Sequence, residues 1–349
     1  MGTLLTVDGL TTRIYTEDGI LTASNDTSFH VDHGEVFGIV GESGSGKTIT
    51  AMSVMNLIEP PARIESGTVR FKGRDVLNMS ESELDDVRGN ELSMVFQDPS
   101  ASLNPVYTIG FQIARVIRRH RGYRGATRRQ ELVNRTLGRD IDDTAREEAI
   151  ELMRQVKIPD AEKRYSDYPH EFSGGMRQRA LIAMGLACQP DLLIADEITT
   201  GLDVTTQSEI FDLLNHLREA YDMSIVLITH DLAAVAETCD RVAVMYAGNV
   251  VETGTVEELF TEPAHPYTLG LLESVPRIGG RAEKLQPISG TPPEMTNLPE
   301  GCNFRTRCPF ADSECRESEP PLAETDDGRA VACFKTDAVE RAEREVIRE

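Results

Sequence analysis

Apolar and polar residues alternate through residues 1–35, broken by the turn signals Asp18-Gly19 and Asn25-Asp26, and this period of two predicts antiparallel strands. Glu35 to Val40 is a short apolar run leading into a glycine-rich segment, as expected of a buried strand. Ile49 to Ile58 has helical spacing and is stopped by Pro60-Pro61. Thr68 to Phe71 and Leu92 to Phe96 are further strand runs. From Val106 to Ala187 the period becomes helical, most regularly over Glu147 to Val156. Apolar strand runs return at Leu192 to Ala195, Ile225 to Thr229 and Val242 to Tyr246. The pattern predicts an α/β core with an antiparallel β subdomain and an inserted helical subdomain at about 106–187. After about Pro263 the chain turns to Pro, Gly and polar residues with four cysteines, so the expected domains are 1–262 and 263–349.

Charge narrows the partners. The 349 residues hold 36 Lys and Arg against 58 Asp and Glu, a net charge of -22. Such a balance argues against a general nucleic-acid surface, which is normally basic. The excess reads first as a solubilising acidic shell; since no acidic tail explains it, the favoured alternative is adaptation to a salt-rich cytoplasm, where screening weakens repulsion between carboxylates. Arg115, Arg118, Arg119, Arg121, Arg124, Arg128 and Arg129 make one stretch locally basic. That stretch reads first as a solvated helix face; the functional alternative is contact with an acidic partner or lipid headgroups. No run approaches the roughly 18 apolar residues of a membrane span, and the N-terminus lacks a signal-peptide pattern. The expectation is a cytoplasmic chain that reaches a membrane only through partners.

Three segments carry chemistry. Gly41-Glu42-Ser43-Gly44-Ser45-Gly46-Lys47-Thr48 fits the P-loop at every fixed position and lies between a strand and a helix. Its backbone amides suit phosphates, Lys47 suits the β and γ phosphates, and the Thr48 hydroxyl suits Mg²⁺. The strand Leu192 to Ala195 ends in Asp196, suited to Mg²⁺, and Glu197, suited to orienting an attacking water. Ile225 to Thr229 delivers His230 and Asp231 to another strand end. His230 there is a candidate for the γ-phosphate. Phe172-Ser173-Gly174-Gly175-Met176-Arg177-Gln178-Arg179 opens a helix just upstream of the acidic strand.

With these pieces in this order, essentially the whole chain resembles an ABC transporter ATPase subunit. The resemblance implies that Ser173, Gly174 and Gly175 cap the γ-phosphate held by the P-loop of a facing subunit. It implies that Gln97 senses the γ-phosphate and Mg²⁺, that Gly201-Leu202-Asp203 crosses the dimer interface, and that Tyr15 stacks on adenine. Phe172 and Met176, the run Gln97 to Pro105, and Pro263-Ala264-His265-Pro266-Tyr267-Thr268 with Leu271-Leu272 and Val275-Pro276 are similar to the oligopeptide, dipeptide and nickel importer branch. Ile198, where Pro is usual, and Gly201, where Ala is usual, depart from the pattern; the glycine is expected to loosen its loop. The implied system comprises ATP and Mg²⁺, two membrane permeases, a second ATPase subunit (a related chain or a copy) and an extracytoplasmic solute-binding protein. The chain is expected at the cytoplasmic face of the membrane, without nucleic acid. A soluble ABC protein of translation or DNA maintenance would carry a tandem cassette or coiled-coil arms, and this chain has neither.

Cys302, Cys308, Cys315 and Cys333 cluster in the tail, with Cys188 and Cys239 apart. A cytosolic chain does not rely on disulfides. Four thiolates suit zinc or an iron–sulfur cluster, but no Cys-x-x-Cys pair is present. The resemblance implies a [4Fe–4S] cluster in some members; zinc, or free or redox-coupled thiols, remain the alternatives.

Overall fold

The computed structural model describes residues 2–120, 143–274, 288–325 and 328–339. Two compact units emerge, one of Met1–Asn78 with Val226–Glu349 and the other of Met79–Ile225.

The first unit opens with β1 (Thr3–Thr16) and β2 (Gly19–Asp32), which turn at Asp18-Gly19 and pair antiparallel from Thr16↔Gly19 to Thr3↔Asp32. Leu5 and Val7 of β1 are buried as alternation requires, and Leu10, of the opposite parity, is buried beyond the register shift that follows Val7. Asn25-Asp26 does not turn the chain. Strand β2 runs through it, with Asp26 at φ 47 and the register slipping near Leu10. The extra residue is absorbed as a bulge, and the Asp26 amide donates to Thr11 Oγ1 at 3.1 Å. β3 (Val36–Val40) is wholly buried. Helix α1 (Lys47–Val54) then begins two residues before the expected start, because the glycine loop ends at Gly46, its left-handed N-cap. It ends four residues early, where Asn56 takes φ 51. β4 (Ala62–Phe71) and β5 (Arg74–Asp75) complete a sheet of order β2-β1-β4-β5.

The second unit starts with α2 (Glu81–Val87), closed by a capping box between Ser80 and Glu83. β6 (Leu92–Val95) lies parallel to β7 (Leu192–Asp196), with Leu92↔Leu192 and Val95↔Ala195 in register. Between them come α3 (Pro99–Ser102), α4 (Ile109–His120), α5 (Asp143–Gln155), α6 (Ala161–Arg164) and α7 (Gly174–Leu186); α8 (Val204–Tyr221) follows. Gly110 lets α4 sit on Tyr165, whose ring a Cβ would meet at 2.0 Å. Of the arginine stretch, Arg121, Arg124, Arg128 and Arg129 lie outside the described residues. Arg119 pairs with Asp85 at 2.6 Å while both stay largely exposed, an arrangement worth little.

The chain returns to the first unit through β8 (Ser224–Thr229), α9 (Leu232–Thr238), β9 (Arg241–Tyr246) and β10 (Asn249–Thr255). α10 (Val256–Thr261), α11 (Pro266–Glu273), α12 (Ser313–Glu317), β11 (Ala323–Glu324) and β12 (Ala330–Val331) follow. Within this unit the strands run β11-β12-β10-β9-β3-β8, with β3 and β9 parallel from Phe37↔Arg241 to Val40↔Val244. Sequence periodicity missed β10. Its buried run contains Glu252, Thr253 and Gly254, which read as polar or breaking. It is joined to β9 by Ala247 and Gly248 at φ 47 and 85, positive at both positions as a tight hairpin demands. Behind the sheet, Val40, Val242, Val244, Tyr246, Tyr267 and Phe304 share one apolar cluster. Among the described residues no helix is long and apolar enough to cross a membrane.

Candidate functional site

In the first unit the glycine-rich loop Gly41 to Thr48 links β3 to α1. Its path is available only to glycine at its two tightest points. A Cβ on Gly41, at φ 156, would come within 2.2 Å of the Met245 carbonyl, and one on Gly46, at φ 103, within 1.9 Å of the Ala23 carbonyl. The Gly248 amide at the hairpin turn donates to Ser45 O at 3.0 Å, which ties the loop to the end of β9. Lys47 is buried, its Nζ donating to the carbonyls of Gly41 at 2.9 Å and Glu42 at 3.0 Å. Ser45 Oγ is buried with no protein partner. A buried ammonium, an orphan hydroxyl and a helix N-terminus without a side-chain cap make a cradle of donors, and that donor set fits a polyphosphate. Thr48, half-buried, opens α1 beside them.

His230 follows β8, the strand beside β3, and is exposed. Thr229 Oγ1 accepts from the Asp231 amide at 3.0 Å, and Asp231 caps α9 through the amides of Ala233 and Ala234, so the turn holding His230 is fixed on both sides. Tyr15 is 39 % exposed near the tip of β1; its hydroxyl donates to Glu65 at 2.7 Å, and the Arg63 guanidinium lies 5.6 Å from its ring centre.

Sequence reading missed two side chains on the loop. The Glu42 amide donates to the Tyr267 hydroxyl at 2.9 Å. The Glu42 carboxylate receives both terminal nitrogens of Arg307, at 2.6 and 3.0 Å. No local signal could have found them, since the partners lie more than 200 residues away along the chain.

In the second unit, β7 delivers buried Asp196 and then Glu197, half-buried and at φ 45. A left-handed glutamate is strained, and such strain is characteristic of functional positions. Gln97, just beyond β6, donates through Nε2 to Glu197 Oε2 at 2.9 Å, so the two predicted residues meet directly. Ser173 caps α7 by accepting from the Met176 amide at 3.3 Å, with Phe172 buried behind it. Ser173, Gly174 and Gly175 share an open groove with Gly201, Leu202 and Asp203. Gly175 has no room for a side chain, because a Cβ would lie 2.8 Å from Thr206 Cγ2. Gly201 takes φ 79 with open space around it, so glycine relieves a left-handed turn there. Asp203 caps α8 through the Thr206 amide and hydroxyl, and these bonds hold its carboxyl below the usual range. Arg179, nearly buried, donates to Val156 O just after α5 and to Glu209 of α8, tying α7 to both.

The tail cysteines converge. Cys302, Cys308, Cys315 and Cys333 line one small cavity with His265 and Phe304. Burial, reinforced by the neighbouring thiols, pushes Cys308 up to about 11 and Cys333 up to about 12. Among the described residues no group of three or more His, Cys, Asp or Glu is placed to hold a metal ion. The donors are therefore gathered around one space without being drawn onto one point. Val275-Pro276 lies outside the described residues.

Residues 24–200 match the ABC transporter family and residues 251–315 the oligopeptide/dipeptide transporter C-terminal region. The chain is 47% identical over 338 residues to a probable peptide ABC transporter ATP-binding protein of Sinorhizobium fredii, covering 96% of each chain. It is 47% identical to the oligopeptide transport ATP-binding protein OppD of Escherichia coli, over 95% of this chain and 93% of that one. The Escherichia coli dipeptide transport ATP-binding protein DppD is 45% identical, over 95% and 96%. Among solved structures, the ATP-binding cassette MJ0796 in a post-hydrolysis dimer superposes with TM-score 0.61 at 24% identity, covering 72% of this chain and 99% of that one.

Proposed function

Since the chain belongs to the ABC transporter family and carries the C-terminal region of its oligopeptide/dipeptide branch, we propose that it is the ATP-hydrolysing subunit of an importer that takes up di- or oligopeptides across the cytoplasmic membrane. One observation carries the substrate class: near-full-length similarity at 45 to 47% to proteins named for peptide transport. Binding begins at the cradle of Ser45, Lys47 and the amides of Gly41 to Thr48, with Tyr15 against the base. By the family resemblance, Thr48, Asp196 and Gln97 would hold Mg²⁺, whose charge would neutralise the phosphates. Glu197 orients the attacking water, and its bond from Gln97 fixes the carboxylate that does so. His230 donates to the γ-phosphate as charge develops there.

The groove at Ser173, Gly174, Gly175 and Asp203 closes on the P-loop of a second ATPase subunit, a copy or a related chain, so each nucleotide is shared. Closure and reopening are passed to two permease subunits, with peptide delivered by a solute-binding protein outside. The chain then sits at the cytoplasmic face of the membrane. In domain terms, residues 1–262 are the cassette, with its helical part at about 106–187, and residues 263–349 are the extension. Purification of the native complex tests this reading. Two permeases, a solute-binding protein and bound peptide are expected; a lone chain with ribosomes or DNA, or bound nickel in place of peptide, would overturn it.

Cys302, Cys308, Cys315 and Cys333 would be the ligands of a [4Fe–4S] cluster in the extension, which they could hold only by closing further onto one point. Their place around a single cavity supports this, and the cluster would staple a Pro-rich tail with little apolar surface to bury. Iron and sulfide assay of anaerobically purified protein, with a Cys302→Ser control, should find both elements in the parent only. One zinc per chain without iron would reject the cluster.

A further inference from the structure

Glu42 is held from outside the P-loop on three atoms. Its amide is bound by the Tyr267 hydroxyl and its two carboxylate oxygens by the fork of Arg307. The arginine is itself fixed. Nε donates to the Ser289 carbonyl at 3.1 Å, and the guanidinium stacks 5.8 Å from the ring centre of Tyr246 and 6.0 Å from that of Phe304. It is packed so tightly that its side chain is 3% exposed, against 29% for that of Glu42. The turn that carries it, Cys302 to Cys308, is the one whose thiols line the cysteine cavity. Glu42 O in turn accepts from Lys47 Nζ at 3.0 Å, so whatever fixes Glu42 also fixes one of the two carbonyls that aim the lysine.

We propose that Arg307 is a positioning residue for nucleotide binding, a clamp through which the cysteine-bearing extension holds the P-loop in its phosphate-binding shape. The proposal rests on the reading of the loop as the ATP site. Neither end of the loop needs the clamp, because β3 and α1 anchor both ends. Its exposed centre, Ser43 and Gly44, is what an untethered Glu42 would let move. Fixing one residue's backbone in advance spares an ordering cost equivalent to roughly tenfold in affinity. A bidentate, buried ion pair is suited to this, since truncating either partner frees the other.

The test is a double-mutant cycle on the full-length chain. Binding of a non-hydrolysable ATP analogue with Mg²⁺ is measured by calorimetry for the parent, Glu42→Gln, Arg307→Gln and the double variant. Each single change should weaken binding roughly tenfold, and the double variant should bind no more weakly than either single one. Arg307→Lys, which keeps the charge without the fork, should fall between parent and Arg307→Gln. Losses that multiply to about a hundredfold in the double variant would show that Arg307 acts on the fold and not through Glu42, and would overturn the proposal. Parent-like binding by Arg307→Gln would overturn it as well. Failure of the parent itself to bind the analogue would instead refute the ATP-site reading.

Discussion

Tyr267→Phe removes one oxygen atom from the centre of the first unit and should be felt both in stability and at the P-loop. The side chain is 0% exposed, and its ring centre stands 4.6 Å from that of Tyr246 and 5.4 Å from that of Phe304. Phenylalanine preserves these contacts, so no cavity opens and the change isolates the hydroxyl. That hydroxyl accepts the Glu42 amide at 2.9 Å, in a setting where burial drives the phenol well above its usual pKa and keeps it neutral. Its loss leaves a part-buried N–H without its partner, at a cost of about 1–3 kcal/mol. Tyr267→Leu, which also removes two aromatic contacts, should cost about 1–3 kcal/mol more. The chain has no tryptophan, so urea titration followed by helical circular dichroism is the suitable assay, paired with nucleotide titration at neutral pH. Tyr267→Phe should lower the urea midpoint and weaken nucleotide binding together. Parent-like behaviour of Tyr267→Phe in both assays would refute the reasoning. So would a Phe variant as damaged as the Leu variant, since packing and not the hydroxyl would then be at stake.

Three further outcomes follow from the packing. Gly46→Ala should cost about 3 kcal/mol or more and abolish nucleotide binding, since its Cβ would lie 1.9 Å from the Ala23 carbonyl at φ 103; a folded variant that binds ATP normally would contradict the loop geometry. Cys239, half-exposed by area but with its thiol pushed up to about 12 by burial and by Asp240 and Glu35, should resist iodoacetamide at pH 8, where only about one thiol in ten thousand is ionised. Because that folded value is raised, the thiol's contribution to stability is full below its unfolded pKa and is lost as the pH climbs towards 12; peptide mass spectrometry showing rapid labelling of the native chain would refute this. Arg179→Met should cost about 2 kcal/mol by stranding the Val156 carbonyl, whereas Glu209→Gln, on a side chain 59% exposed, should cost under about 1 kcal/mol. Equal losses in thermal unfolding would mean that the ion pair to α8, and not the bond to the Val156 carbonyl after α5, sets the cost of losing Arg179.

Sequence reading was most complete where chemistry demands particular residues at fixed spacing. The P-loop, the Asp196-Glu197 strand end, the Ser173 cap and the His230 turn all lie on the elements expected for them, because each needs only local backbone geometry. The Gln97 to Glu197 bond was half legible: both residues were identified, but the bond arises only when β6 and β7 align in parallel. β10 was hidden because a fully buried acid, Glu252, breaks its apolar run. That carboxylate is paid for by amides from Ala264 and His265, which no periodicity reveals. The same two residues belong to the Pro263 to Thr268 motif. Sequence marks it as a family feature, whereas the structure gives it a physical task, seating Tyr267 beneath Glu42. Asn25-Asp26 misled for the opposite reason, since residues that favour turns also favour bulges.

ATP-driven peptide uptake by the reconstituted complex, compared with a Glu197→Gln variant, tests the central claim most directly. The parent should hydrolyse ATP and accumulate labelled peptide in vesicles. The variant should bind ATP, stay closed as a dimer with its partner subunit, and do neither. Undiminished hydrolysis by Glu197→Gln, or hydrolysis by the parent that peptide never couples to uptake, would contradict the account.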